Sequence, residues 1–179
     1  EKYPKLNWKI LSEESIDLNV KNKISENKYL WILDPLDGTK DFVDGTGNYA
    51  MHLALNYENR PRLGVVLIPS INELWITDGY KTWGERRDGS FIKNNKLPSR
   101  ENINELRLVT SQNHKNKKLS ELISKINFKR KISMGSIGCK IVSIIKGESD
   151  IYLSYADYGQ NAPKDWDFAA PEAILNSAG

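Results

Sequence analysis

Residues 29–42 read Tyr29-Leu30-Trp31-Ile32-Leu33-Asp34-Pro35-Leu36-Asp37-Gly38-Thr39-Lys40-Asp41-Phe42. The run Tyr29 to Leu33 is too short for a buried helix, and its aromatic and β-branched residues predict a strand. Pro35 has no N–H and is expected to stop the ladder, leaving Asp34 at the strand end and Asp37 one tight turn later. Two carboxylates so spaced can converge on a hard cation, which prefers oxygen ligands and accepts backbone carbonyls, such as that of Leu36, among them. Gly38 and Thr39 follow at once, where backbone N–H groups can hold a phosphate. Metal carboxylates beside a phosphate cradle are what metal-assisted phosphate hydrolysis requires. On its own the segment reads equally well as an Asx turn, because Asp-Pro and Asp-Gly are common turn dipeptides.

Outward from this stretch, Met51 to Asn56, Leu63 to Ile68, Glu73 to Thr77 and a short piece at Thr82-Trp83 read as an antiparallel meander. Its turns are expected at Asn59-Arg60-Pro61, residues 69–72 and residues 78–81. Residues 16–28 are polar and read as a surface connection. The pattern changes after about residue 104. Leu106 to Thr110 and Lys131 to Met134 read as strands, as does Asp150 to Leu153. Between them, Lys118 to Ile126 sets Leu119, Leu122, Ile123 and Ile126 at helical spacing, and Lys140 to Lys146 predicts a second helix. Alternating strands and helices are the mark of a layered α/β unit. Asp167 to Ser177 predicts a final helix, with Gly179 at its C-cap. The expected fold is therefore layered α/β (α+β): an antiparallel-sheet lobe over residues 1–104 and a smaller α/β lobe over residues 105–179.

Composition sets broad bounds. The chain has 179 residues, enough for one domain or two small lobes. The single cysteine, Cys139, excludes an internal disulfide framework and fits a reducing cytoplasm. The formal net charge is +3 with lysines scattered among acids, so a nucleic-acid stripe is a poor reading and a small anionic substrate a better one. No apolar run is long enough to cross a bilayer, so no membrane partner is expected. The chain opens at Glu1 rather than Met, which predicts further upstream sequence in the natural gene product, and the end at Gly179 predicts more downstream.

Two further acidic clusters bear on the first. Glu13-Glu14 follows the apolar pair Ile10-Leu11 and can offer a carboxylate from a neighbouring strand end, although one such Glu is usually a solvated surface acid. Asp167 stands at the start of the last helix, where the ordinary reading is an N-cap. Taken together, Ser12-Glu13-Glu14-Ser15, the stretch Trp31 to Phe42, and Trp166 to Glu172 resemble, in order, the three signatures of the inositol monophosphatase-like, lithium-sensitive phosphatases.

That resemblance implies a sugar-phosphatase fold and Mg²⁺ held by Glu13, Asp34, Asp37, Asp167 and the Leu36 carbonyl. Two or three ions are implied, with Li⁺ as a potential inhibitor. Thr39 matches the threonine that orients or deprotonates the attacking water, with Glu13 and Asp37 as its catalytic companions, and Gly38 and Thr39 match the phosphate-holding turn. The family pairs that threonine with an aspartate on an upstream segment without counterpart in these residues. Within the family, Ser111 to His114, Met134 to Lys140 and Lys164 to Leu175 resemble the 3′(2′),5′-bisphosphate nucleotidase branch. His114, Gly135, Ser136, Lys140 and Asp167 are accordingly expected to meet substrate, Lys140 or Lys164 supplying a cation for the phosphate that is not cleaved. The plain alternatives are a solvated His114, a snorkelling Lys140, a core Cys139 and a structural His52. The expected substrate is 3′-phosphoadenosine 5′-phosphate, the alternatives being an inositol monophosphatase and a non-catalytic Mg²⁺- and phosphate-binding protein. The expected assembly is a monomer or homodimer.

Overall fold

The computed structural model describes residues 8–15, 28–92, 100–113, 116–155 and 163–179. Among these, β1 (Lys9–Ser12), β2 (Tyr29–Asp37), β3 (Ala50–Tyr57), β4 (Arg60–Ile68), β5 (Glu73–Thr77), β6 (Thr82–Arg86) and β7 (Phe91–Ile92) form one sheet in sequence order. β1 runs parallel to β2, and every later pairing is antiparallel. A second sheet, ordered β10-β8-β9, joins β8 (Arg107–Ser111), β9 (Arg130–Met134) and β10 (Ile151–Tyr152) in parallel. The helices are α1 (Thr39–Val43), α2 (Lys117–Ser124), α3 (Ile137–Ile145) and α4 (Asp165–Ala178). The expected layered α/β class is the one found. Residues 16–27 lie outside the described residues.

Strand periodicity places the core. Ile32, Ala54, Val66 and Trp75 alternate onto one face of the large sheet and are buried there. α4 lies across β2, β3 and β4 and packs on α3, burying Ala170 and Ile174 completely. Helix and sheet approach most closely at Gly64 of β4, where a Cβ would stand 2.8 Å from the Ala170 oxygen and 2.9 Å from the Ala173 Cβ. α4 comes from the C-terminal end of the chain, yet it covers the sheet built by the first half, and so carries Asp167 to the strand that bears Asp34 and Asp37.

Several boundaries depart from expectation for identifiable reasons. β2 does not stop at Asp34. It runs through Pro35 to Asp37, with Asp34 opposite His52 and Asp37 opposite Ala50, so β2 carries one residue more than β3 across this interval. A bulge is where a strand tolerates a residue without an N–H. The β3–β4 turn is Glu58-Asn59, not Asn59 to Pro61: both residues have positive φ, 50° and 61°, and Tyr57 pairs with Arg60. Two-residue turns of this hand match the twist of the strands they join. α3 begins at Ile137, three residues before the expected Lys140, because Ser136 caps it with a hydroxyl that accepts from the Cys139 N–H at 3.2 Å. α4 begins at Asp165, which makes Asp167 its third residue and not its cap. β7 was not anticipated.

Replacing Gly64 with Ala is expected to lower stability by about 1–3 kcal/mol, the usual cost of forcing volume into a packed interior. Urea denaturation measures it, and a loss under about 0.5 kcal/mol would show that α4 does not press on β4 as described.

Candidate functional site

The bulge in β2 decides the geometry of the site. Within it the Leu36 N–H donates to Asp34 Oδ1 at 2.9 Å, so the Asx turn read from the sequence is present. That turn aims Asp34 and Asp37 to the same place. Asp34, Asp37 and Asp167 each bring a carboxylate oxygen within 4.8 Å of the others. The turn therefore does not compete with the convergence of carboxylates that the metal reading expects.

The three carboxylates are supported differently. Asp34 is 1 % exposed, and its Oδ2 has no hydrogen-bond partner among the described residues. Burial, then the charge of Asp37, and more weakly those of Glu13 and Asp167, push its pKa up to about 8 from the ordinary 3.8. Asp37 Oδ2 accepts from the Ser136 hydroxyl at 2.7 Å and the Ile137 N–H at 2.6 Å, and His52 Nε2 stands 3.4 Å away. It thus lies on the positive end of α3. Asp167 Oδ2 accepts from the Lys164 N–H, the backward half of a capping box. A buried carboxylate oxygen without a donor, beside two more carboxylates, is costly. An all-oxygen donor set of this kind fits a hard divalent cation such as Mg²⁺.

The other expected site residues fall around this group. Leu36, Gly38, Thr39, Gly135, Lys140 and Glu13 line one cavity with the three aspartates. The Thr39 hydroxyl donates to the Leu36 carbonyl at 3.1 Å, and a carbonyl has a second lone pair to offer. Glu13 is exposed in the short turn Glu13–Ser15 after β1; its charge reaches Asp34, but it stands outside the group of three. His114 lies outside the described residues.

Lys140 does not snorkel. It is 1 % exposed, donates from Nζ to the carbonyls of Gly135 (2.6 Å) and Met134 (3.3 Å), and faces the Tyr152 ring. Burial lowers its pKa to about 8 against the opposing pull of Asp37, Asp41 and Asp167.

Ser136, expected among the substrate contacts, is fully buried, and its hydroxyl bonds Asp37 and caps α3. His52 is fully buried and held neutral chiefly by that burial, which is a structural role. Cys139 is likewise inert, its thiol pushed up to about 12 by burial.

Sequence reasoning missed Asp41. It is 1 % exposed, and its carboxylate accepts from the Thr46 hydroxyl and from Asn113 Nδ2, each at 2.6 Å. It ties the helix after the acidic turn to the segment after β8. A Cβ on Gly135 would sit 2.0 Å from Asp41 Oδ2, so that glycine is there to admit the carboxylate. The only local signal was the position of Asp41 inside the quoted motif.

A model of the inositol monophosphatase family matches residues 2–179. The chain belongs to the inositol monophosphatase family. The 3′(2′),5′-bisphosphate nucleotidase CysQ of Buchnera aphidicola is 32 % identical over 170 residues, covering 95 % of this chain and 60 % of that protein. Human 3′(2′),5′-bisphosphate nucleotidase 1 is 29 % identical over 159 residues, 86 % of this chain and 49 % of that one. The chain thus spans between about half and 60 % of the length of these relatives. Among solved structures, CysQ from Bacteroides thetaiotaomicron, a bacterial member of the family, superposes with a TM-score of 0.75 at 26 % identity, over 98 % of this chain and 68 % of that one. Mycobacterium tuberculosis SuhB, with a TM-score of 0.77 at 20 % identity over 97 % of this chain and 65 % of that one, shares the fold. No helix among the described residues is long and apolar enough to cross a membrane.

In metal-free protein the raised pKa of Asp34 makes its contribution to stability fully present below about 3.8 and lost as pH rises through about 8. Asp34→Asn is therefore expected to raise the Tm of chelator-treated protein at pH 7–8, flatten its decline between pH 4 and 8, and abolish the Tm gain on adding Mg²⁺. Thermal melts in EDTA and in MgCl₂ read all three, and an unchanged Mg²⁺ response would remove Asp34 from the site. Ser136→Ala is expected to weaken Mg²⁺ binding about 10–100-fold by loosening Asp37. Titration calorimetry measures this, and an unaltered affinity would leave Ser136 as a helix cap alone.

Proposed function

We propose that this chain carries the metal and phosphate site of a Mg²⁺-dependent phosphomonoesterase that converts 3′-phosphoadenosine 5′-phosphate to AMP and phosphate in the cytoplasm. The observation that carries the proposal is the unpartnered Asp34 oxygen within a group of three carboxylates, opening on the cavity that Thr39 and Lys140 also line. The names of the Buchnera and human relatives support the substrate. In this reading Asp34, Asp37, Asp167 and the Leu36 carbonyl hold the metal with Glu13, two or three ions in all. The two lobes, residues 1–104 and 105–179, meet at the site. Bound there, Mg²⁺ supplies Lewis-acid polarisation of the phosphoryl group and a more acidic water.

The chain's own groups do the rest. Thr39 Oγ1 has its proton committed to the Leu36 carbonyl, so its lone pairs are turned to accept a hydrogen bond from the attacking water. Ser136 and the Ile137 N–H fix Asp37 in direction. Lys140, anchored by two carbonyls, stays predominantly cationic at neutral pH and places its charge beside the dianionic substrate without a further conformational change. Gly38 and Thr39 hold the phosphate oxygens by their backbone N–H groups.

The test is phosphate release with and without Mg²⁺, offering 3′-phosphoadenosine 5′-phosphate and inositol 1-phosphate in parallel to protein that includes any natural upstream segment. Mg²⁺-dependent release favouring the nucleotide is expected. Preference for inositol 1-phosphate would keep the chemistry and discard the substrate. No release from either ester by folded protein would leave a non-catalytic Mg²⁺- and phosphate-binding protein. Lys140→Met, which keeps the side-chain volume, is expected to lower nucleotide turnover at least about tenfold more than inositol phosphate turnover. Equal losses would show that Lys140 does not read the second phosphate.

A further inference from the structure

Asp41 lies in α1, two residues past Thr39, and is buried, yet the proposed chemistry gives it no part. Its two oxygens serve different neighbours. Oδ1 accepts from the Thr46 hydroxyl and Oδ2 from Asn113 Nδ2, each at 2.6 Å. Two donors facing separate oxygens need an acceptor at both, which a carboxylate supplies and an amide does not. That requirement accounts for a carboxylate in a place where burial is costly.

The Thr46 arm leads back to the metal group. With its proton given to Asp41, the Thr46 oxygen accepts from the Asn48 N–H at 3.2 Å and from Asn48 Nδ2 at 3.4 Å. The Asn48 carbonyl in turn receives the Ser136 N–H at 3.0 Å. Ser136 is the residue whose hydroxyl reaches Asp37 Oδ2 at 2.7 Å. The fit along this path is close: a Cβ on Gly38 would stand 2.9 Å from the Asn48 oxygen, and so would one on Gly135.

Hydrogen bonds in series polarise one another and hold their members as a unit. The groups that hold a metal's ligands set the direction of those ligands, and losing one usually weakens metal binding about 10–100-fold. We infer that Asp41 is a positioning residue of the metal site, fixing the direction of Asp37 through Thr46, Asn48 and Ser136. Asp41 stands outside the group of three carboxylates, so it acts on their geometry and not as one of them. Its other oxygen, by way of Asn113, registers the segment after β8 against the same network. The inference rests on the proposed Mg²⁺ site and on no choice of substrate.

The experiment measures the Kd of Mg²⁺ by titration calorimetry, alongside the Tm in EDTA. Thr46→Val keeps the side-chain shape and every charge while removing the hydroxyl, and Thr46 is exposed, so the core is untouched. It is expected to weaken Mg²⁺ binding about tenfold or more. Thr46→Ser, which retains the hydroxyl, should stay within about twofold of wild type. Asp41→Asn should also lose about tenfold or more. Combined with Thr46→Val it should cost no more than the larger single change, because both cut one path. If Asp41→Asn does not fold, the two Thr46 variants decide the matter alone. A lower Tm with an unaltered Kd in Thr46→Val would show a structural role only and overturn the inference, as would additive losses in the double variant. Wild-type protein that binds no Mg²⁺ would sink the metal reading and the inference with it. Wild-type binding that Thr46→Val leaves intact would sink the inference alone.

Discussion

Asp37 Oδ2 sits at the amino end of α3, and the rest of the site depends on that contact. The oxygen receives a hydroxyl and a backbone N–H from residues about a hundred positions away along the chain. A charge-assisted pair of this kind is among the stronger hydrogen bonds available to a protein, and the helix end adds its own positive field. The contact joins β2 of the large sheet to the helix that follows β9 of the small one. With Asp37 fixed, Asp34 and Asp167 have only one region in which to meet it. Asp34 comes from the other side of the bulge, and Asp167 arrives on α4, which is pressed against the same sheet.

Close approach explains residues that local propensity does not. Gly138 lies in the first turn of α3, a poor place for a helix former. A Cβ there would stand 2.3 Å from His52 Nε2, so the glycine lets the helix end descend onto β3 and reach Asp37. His52, neutral and buried beneath it, fills the space next to the carboxylate without adding a competing charge. Gly135 does the same for Asp41 one turn earlier in the chain. These glycines, Asp37 and the buried Asp41 form one joint between the two sheets' elements, beside the group of three carboxylates.

This division also accounts for what the sequence could disclose. The strands of the large sheet were legible because their alternation is local, and so was the acidic turn, because proline and glycine mark it. The start of α3 was not, since Gly138 weakens the helical pattern for a reason that lies in His52. The bulge at Pro35 was hidden as well. Proline announces the end of a ladder, and only the pairing of Asp37 with Ala50 shows that the ladder resumes. Ser136 was placed among the substrate contacts because the stretch Met134 to Lys140 resembles the nucleotidase branch, and its bond to Asp37 could not be read because that residue is distant in sequence. Asp41 gave no sign of its own, as a buried strut between α1 and the segment after β8 has no local pattern to betray it.

The arrangement is poor for stability and well suited to binding. Ser136 satisfies Asp37, and the Lys164 N–H bonds Asp167, but nothing among the described residues donates to the Asp34 Oδ2 oxygen. Leaving one buried oxygen without a donor keeps an electrostatic deficit that only a cation or a proton relieves. The same economy appears in Lys140, whose ammonium is held by two carbonyls rather than by the neighbouring carboxylates. Had Lys140 formed an ion pair with Asp34 or Asp37, the site would be neutral, more stable and closed to a metal. Holding the lysine on backbone carbonyls keeps the positive and negative charges separate, as the proposed binding of a cation and an anionic ester would require, and stability is given up for that separation.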